Sequence, residues 1–347
     1  MAILLMEGFG NLTDGEHVPG TSREILGDQW LDYPANLRFI DRADGRKWLG
    51  NVSNSHTRLA SSAFAASGTL FFAFRMIRPS TTNTAHLIQL RSGATNIGGI
   101  QVNAAGHITY SGSGNDATGY DIRATSTAAV PGDTETHVEV KVVLGDGTDG
   151  SVTFWMNGAL DSEHTDIDTA AGTGNLTCNA ITVMARGNLS ANDTWRIGDI
   201  VVHTNAGPIG DCGVFYRPAN ADGASTDFTP KDAGDNVDMV DEIGPDEDTT
   251  YNESDGTAGH RDAFEQAGVA SNLAVLAVAP MIRARKTDTG VATIKVGLEH
   301  STDEDESAAK VLSESYLTFM EIFEDCPDET GWTPAQVNAT EFFVEVG

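Results

Sequence analysis

Four aspartates gather where the chain turns tightly: Asp146 and Asp149 within Gly145-Asp146-Gly147-Thr148-Asp149-Gly150, then Asp161 and Asp166. Such carboxylates are hard oxygen donors, and a calcium ion takes about six to eight of them. Asp146 and Asp149 are therefore the candidate calcium ligands, but Asp-Gly pairs are also ordinary hairpin turns, and the turn is the preferred reading. The run Pro245-Asp246-Glu247-Asp248 makes no EF-hand loop, because Tyr251 stands where glycine is required. Trp155 and Asn157 are candidates for sugar contact, since an indole face matches the apolar face of a pyranose and an amide both donates and accepts. Trp155 lies between Phe154 and Met156 on an expected strand, and the core is the expected place for its ring.

Covalent and hydrolytic chemistry lacks its usual residues. Ser22 and Ser225 follow glycines but neither has glycine two residues later, as a nucleophile elbow needs. His-Glu-x-x-His and Gly-Lys-Ser/Thr are absent. Gly112-Ser113-Gly114-Asn115-Asp116-Ala117 matches a dinucleotide fingerprint in form, but the Thr/Ala-rich continuation opens no helix. Glycoside hydrolysis needs two carboxylates facing each other about 5–9.5 Å apart. No strand alternates acids in the Glu-x-Asp-x-x-Glu manner, and Glu139, alone among valines, is expected to face solvent. No enzyme and no cofactor other than calcium is expected. Cys178, Cys212 and Cys326 are far apart and read as reduced thiols; His56, His86, His107 and His137 share no ligand spacing.

The elements that would carry these residues are strands. Gly68 to Arg78 is aromatic and branched and stops at Pro79. Gly98 to Val102 and His107 to Tyr110 flank the turn Asn103-Ala104-Ala105-Gly106. Val138, Val140 and Val142 alternate with Glu139 and Lys141, the acidic-glycine turn follows, and Ser151 to Met156 returns. Asn157-Gly158 makes the next tight turn, because both tolerate positive φ. Ala180 to Ala185, Trp195 to His203, Leu273 to Arg285, Ala292 to Leu298 and Glu341 to Val346 complete the expected strands, with Tyr316 to Phe323 open between strand and helix. Thr333-Pro334-Ala335-Gln336-Val337 predicts one short helical turn, with a hydroxyl cap and proline at the first helical position. Short strands separated by Gly, Asn and Asp turns indicate an all-β sandwich.

With 347 residues the chain has room for two domains. The composition shifts after Gly207-Pro208, and residues 221–262 hold thirteen acids against Lys231 and Arg261, predicting a long acidic surface loop. The expected division is a β-sandwich over 1–208 and a second, smaller β-rich sandwich domain over 209–347. A net charge of -29 excludes nucleic acid and anionic membranes as partners. The longest apolar stretch, Leu273 to Ile282, is broken by Pro280 and is too short to span a bilayer. Met1 to Met6 lacks a basic flank and reads as a strand rather than a signal peptide.

The hairpin ending Val152-Thr153-Phe154-Trp155-Met156-Asn157-Gly158, with the later Ile197-Gly198-Asp199-Ile200-Val201-Val202, resembles the concanavalin A-like or laminin-G-like (jelly-roll) sandwiches. The opening Met1 to Phe9 and the ending Glu324 to Ala339 resemble structural proteins of tailed bacteriophages. That resemblance implies a non-enzymatic virion component, a minor tail or fibre protein or a capsid decoration, made in the host cytoplasm. Its expected partners are other virion proteins and copies of itself, a trimer first, with host surface glycan as a further partner. A glycan-binding adhesion module and a glycan-cleaving enzyme are the alternatives on the same fold.

Overall fold

A computed structural model describes residues 2–8, 30–32, 37–42, 46–51, 57–80, 84–112, 121–170, 173–186, 195–244, 246–328 and 330–347. The protein is all-β, and the described chain packs as two compact units, one running through Phe215 and the other Tyr216–Gly347. The first unit therefore takes in residues 209–215, which composition alone had assigned to the second domain. Its strands are β1 (Ile3–Glu7), β2 (Trp30–Asp32), β3 (Leu37–Asp41), β4 (Lys47–Asn51), β5 (Thr57–Ser61), β6 (Thr69–Ile77), β7 (Ala85–Ser92) and β8 (Thr95–Val102), followed by β9 (His107–Gly112), β10 (Ile122–Ala129), β11 (Thr136–Val143), β12 (Gly150–Met156), β13 (Ala159–Ile167), β14 (Ala180–Arg186) and β15 (Arg196–His203).

These strands form two antiparallel sheets of a jelly-roll sandwich. One runs β13-β12-β11-β6-β15-β4-β3, with β1 also paired to β15; the other runs β10-β9-β8-β7-β14-β5-β2. Alternation decides what is buried between them. Phe72 is registered with Val140 and Val202, and Val140 with Phe154, so one inward row crosses four strands. All four are fully buried, as are Ile88, Ile100, Ile108, Tyr110 and Ile181 of the second sheet. Tyr110 keeps its hydroxyl satisfied by donating to Thr169 O at 2.8 Å. Gly98 makes room for that ring, since a Cβ there would lie 2.2 Å from the Tyr110 hydroxyl. At the turn between β12 and β13, Asn157 (φ 48°) and Gly158 (φ 78°) both adopt the left-handed conformation that a two-residue hairpin needs.

The second unit holds β16 (Ala219–Thr226), β17 (Thr229–Pro230), β18 (Asn252–Glu253), β19 (Arg261–Gln266), β20 (Met281–Ala284), β21 (Thr293–His300), β22 (Asp303–Glu306), β23 (Lys310–Val311), β24 (Leu317–Met320), α1 (Pro334–Ala339) and β25 (Thr340–Val346). Its main sheet runs β16-β19-β25-β21-β22, with β23 beside β21; β17 pairs β18 and β20 pairs β24. The capping box of α1 is complete: Gln336 N donates to Thr333 Oγ1 and Thr333 N donates to Gln336 Oε1.

Two expectations need correction in this unit. Of Leu273 to Arg285 only Met281–Ala284 is a strand; Val278 adds an isolated bridge to Phe323, and Pro280 between them has no N–H to join the two into one ladder. The acidic stretch 221–262 is no simple loop. It contains part of β16, all of β17 and β18, a 3-10 turn at Val237–Met239 and the start of β19. Its acids are used internally: Asp222 accepts from Val237 N and Asn236 N, and the buried Asp262 accepts from Phe228 N and Asn236 Nδ2. The charge is unevenly shared. Tyr216–Gly347 carries 28 acids against eight Lys and Arg, residues 1–215 carry 22 against 13, and so the sandwich is the less acidic part.

Candidate functional site

The outward face of the β12-β11-β6-β15 sheet carries the chemistry. Register sets it out in rows: Thr153, Lys141, Phe71 and His203 in one, Trp155, Glu139, Ala73 and Val201 in the next, and His137 beside Arg75 in a third. The valines of β11 point inward, so His137, Glu139 and Lys141 must share the outward face.

Much of this face is covered by the chain that follows β15. Ile209 N and Gly210 N donate to the two oxygens of Glu139 at 2.9 and 3.2 Å. Asn205 N donates to His203 Nδ1 at 3.2 Å, which leaves Nε2 as the protonated nitrogen, and this donates to Glu139 Oε1 at 3.0 Å. Glu139 is thus fully buried with three donors, not solvent-facing as its alternation suggested; alternation gives the face but not what later chain lies over it. His203 also stacks on Phe71, with ring centroids 4.8 Å apart and planes 12° apart.

A second knot lies along the same face. β15 is bulged between Gly198 and Val201, with Asp199 at φ 52°, and the bulge turns its carboxylate outward. There it meets Arg42 Nη1 at 2.7 Å, Arg46 Nη1, Arg75 Nε at 3.5 Å and Val214 N at 3.2 Å. Burial pushes the Asp199 carboxyl up, and Arg46 and Arg42 pull against that shift. Arg75 also reaches Glu135 at 2.8 Å, Asp211 at 2.5 Å and Cys212 O at 3.0 Å.

Between the knots His137 is fully buried, with Nδ1 unpartnered and Nε2 3.8 Å from Cys212 Sγ. Burial lowers the imidazole and pushes the Cys212 thiol up to about 12, so both are neutral near pH 7 and the pair is no thiolate nucleophile. A pH dependence follows. Below its ordinary value of 6.5, the unfolded His137 takes up a proton that the folded one refuses, so stability is lost as pH falls from 6.5 toward the folded value. Urea unfolding at pH 7.5 and 5.5 should show this loss, and His137→Gln should reduce it. Equal pH slopes in the two proteins would refute the assignment.

Past the covering segment the face opens. Trp155 is half-buried, its ring 6.0 Å from Phe71; Leu160, its partner on β13, is 63% exposed. Lys141 lies over Phe71, with Nζ 5.7 Å from the ring centroid. Among the described residues Lys141 has no carboxylate within ion-pair range, whereas Arg42, Arg46 and Arg75 on this face are all paired. The structure therefore corrects the expected core position of Trp155: the inward member of its strand is Phe154. Asn157 is occupied, since its Oδ1 accepts from His137 N at 3.0 Å and its N donates to His137 O.

The calcium candidates are not brought together. Asp146 and Asp149 lie exposed in one turn, closed by Asp149 N donating to Asp146 O. Asp161 instead accepts from Thr127 N and Ala128 N at 2.6 and 2.7 Å, which ties β13 to β10. Among the described residues neither Asp146 nor Asp149 joins a three-donor cluster. The dinucleotide-like run 113–117 lies outside the described residues. Sequence reasoning missed Lys141, Leu160, Arg75 and Asp199. For Lys141 the signal was present, in the same alternation that sets the valines inward.

The outward face of the other sheet is polar but closed. Gln101, Thr109, Ser111 and Thr182 are 1–2% exposed, and Gln101 Nε2 donates to Ser111 Oγ at 2.6 Å. Glu139 and Asp199 on the Trp155 face are each saturated by donors.

No family model and no curated protein matches the chain. Solved structures do match, over about half of the chain. An endo-β-1,4-glucuronan lyase from Trichoderma reesei aligns at 13% identity over 55% of this chain and 94% of its own, TM-score 0.37. An alginate lyase from Aplysia kurodai aligns at 8% identity over 59% and 100%, TM-score 0.41. A carbohydrate-binding module from Bacillus subtilis aligns at 11% over 49% and 92%, TM-score 0.31. At these identities the likeness concerns fold. The expectation of a non-enzymatic virion component does not stand beside such neighbours, which cleave or bind polysaccharides, and the expectation that the chain is no enzyme falls with it.

Proposed function

We propose that the sandwich is a glycan-recognition module whose contact surface is the shelf of Trp155, Leu160 and Lys141. The single observation that carries this is the half-buried Trp155, with Phe71 6.0 Å away, exposed Leu160 alongside, and the Lys141 ammonium, which has no carboxylate partner among the described residues, over Phe71. An aromatic face held in place loses little entropy when a pyranose stacks on it, and Lys141 selects a sugar bearing a carboxylate or sulfate. The test is calorimetry on acidic and neutral oligosaccharides chosen from a glycan array. Trp155→Ala is expected to weaken binding about tenfold, roughly 1.4 kcal/mol. Lys141→Ala is expected to remove the preference for acidic chains. If no array glycan binds, or if Trp155→Ala binds as the parent does, the reading is wrong.

Cleavage of an acidic glycan is a second reading, favoured by His137 beside Arg75. A neutral imidazole with an unpartnered nitrogen is a base, and a guanidinium is what neutralises a uronate carboxylate while the neighbouring carbon loses its proton. Glu135, Asp199 and Asp211 now occupy Arg75, so the covering segment has to move and Arg75 has to exchange a carboxylate partner for the uronate before this chemistry runs. Incubation with oligouronates, followed by ultraviolet absorbance of an unsaturated product, decides it; no such product sinks this reading and leaves the first intact.

A further inference from the structure

We propose that the C-terminal unit holds a divalent metal ion of the zinc class between His300, Cys326 and Asp328. One donor atom from each lies within 4.8 Å of the other two. His300 is the last residue of β21, while Cys326 and Asp328 are two apart in the chain that joins β24 to α1. Two separated segments thus converge, His300 from a strand end and the Cys326–Asp328 turn, and the set includes a thiol and an imidazole rather than surface acids alone.

The donor set is mixed, and that mixture narrows the ion. A thiol, an imidazole and one carboxylate are the ligands of zinc and its borderline-soft neighbours; calcium and magnesium want oxygen alone. Around a tetrahedral zinc, bonds of about 2.0–2.3 Å set donor atoms roughly 3.3–3.8 Å apart, so contraction by about 1 Å completes the site. Side-chain rotations supply that much. Three protein ligands leave a fourth position for water.

The surroundings hold each ligand in place. Cys326 N donates to Thr330 O at 2.8 Å and Asp325 bridges Gly331, which fixes the backbone of the turn. Asp328 Oδ1 accepts from Thr330 N and Thr330 Oγ1 at 3.1 and 2.5 Å, Gln336 Nε2 donates to both carboxylate oxygens at 3.2 and 2.9 Å, and the Cys326 thiol hydrogen-bonds to the same carboxylate, so two of the three ligands are already in contact. Thr340 Oγ1 donates to Gln336 O at 2.8 Å, so its contact of 3.1 Å with His300 Nδ1 is received from the ring. The proton is thereby placed on Nδ1, and the imidazole keeps one unprotonated nitrogen, the form that binds a metal. Beneath lies an apolar floor of Leu298, Trp332 and Val337 packed with Cys326. When the metal–sulfur bond forms, the thiol proton passes to the buffer, and no electron is transferred.

The experiment uses the full chain, stripped with chelator and titrated with cobalt(II) and zinc(II) chlorides. The expected result is one equivalent bound, with a near-ultraviolet sulfur-to-cobalt band and visible bands of a tetrahedral ion, both bleached by zinc. Cys326→Ser should abolish the sulfur band, His300→Ala should weaken zinc at least about tenfold, and Cys212→Ser should change neither. Circular dichroism checks that each variant is folded, and His300→Ala serves if Cys326→Ser is not. No stoichiometric binding by the parent, or a sulfur band that survives Cys326→Ser, overturns the proposal. The glycan shelf is unaffected by either outcome, since the two sites share no residue.

Discussion

Replacing Glu139 by alanine is expected to destabilise the sandwich by about 3–5 kcal/mol, because three donors lose their acceptor at roughly 1–3 kcal/mol each when buried. The size follows from what is left behind. His203 Nε2–H loses its acceptor in a place water does not reach, and Ile209 N–H and Gly210 N–H lose theirs at partly buried positions. Glu139→Gln keeps one acceptor oxygen and should cost about half as much, because a single amide oxygen serves fewer donors than a carboxylate. Urea unfolding of the full chain measures both, with Trp155, registered opposite Glu139, as the local fluorophore. A loss below about 1 kcal/mol for the alanine variant would show that the covering segment is held by other means.

Asp199→Ala should be of similar size, again about 3–5 kcal/mol, for a different reason. Here the groups abandoned are cationic: Arg42, Arg46 and Arg75 converge on one carboxylate, and the first two are themselves more than nine-tenths buried. Without it, guanidinium faces guanidinium. Asp199→Asn retains the shape but not the charge and should recover little. Both carboxylates fasten the chain after β15, Glu139 at 209–210 and Asp199 at Val214. Once one anchor is gone, less remains for the other to hold, so the double variant should lose less than the sum of the two. Limited proteolysis within 205–215 reads the release directly. Strict additivity would mean that the two anchors act independently.

What the chain made legible was local. The valine alternation of β11 announced an inward face, Asn157-Gly158 announced a turn that the backbone then takes at positive φ, and Thr333-Pro334 announced a capped helical turn. Each depends on neighbours within a few residues. Glu139 was misjudged because the groups that bury it lie about 70 positions later, and Asp199 passed unnoticed because a bulge is a property of two paired strands. Trp155 went to the wrong face for a related reason: Phe154 and Trp155 are both large and apolar, so type could not decide which turned inward. The converging His300, Cys326 and Asp328 share no sequence spacing that a motif would capture.

The position of β15 has a consequence for how the molecule is made. This strand sits between β6 on one side and β4 and β1 on the other, yet it is the last of the sandwich to leave a ribosome. Until then β6 presents an open edge along Phe71, Phe72 and Phe74, and β1 has no partner. Closure of this sheet therefore waits for nearly the whole first unit, and the pairing of Ile3 with His203 spans almost all of it. A nascent chain of this kind stays sticky for most of its synthesis and then folds late, which makes it a natural client for chaperones that shield strand edges.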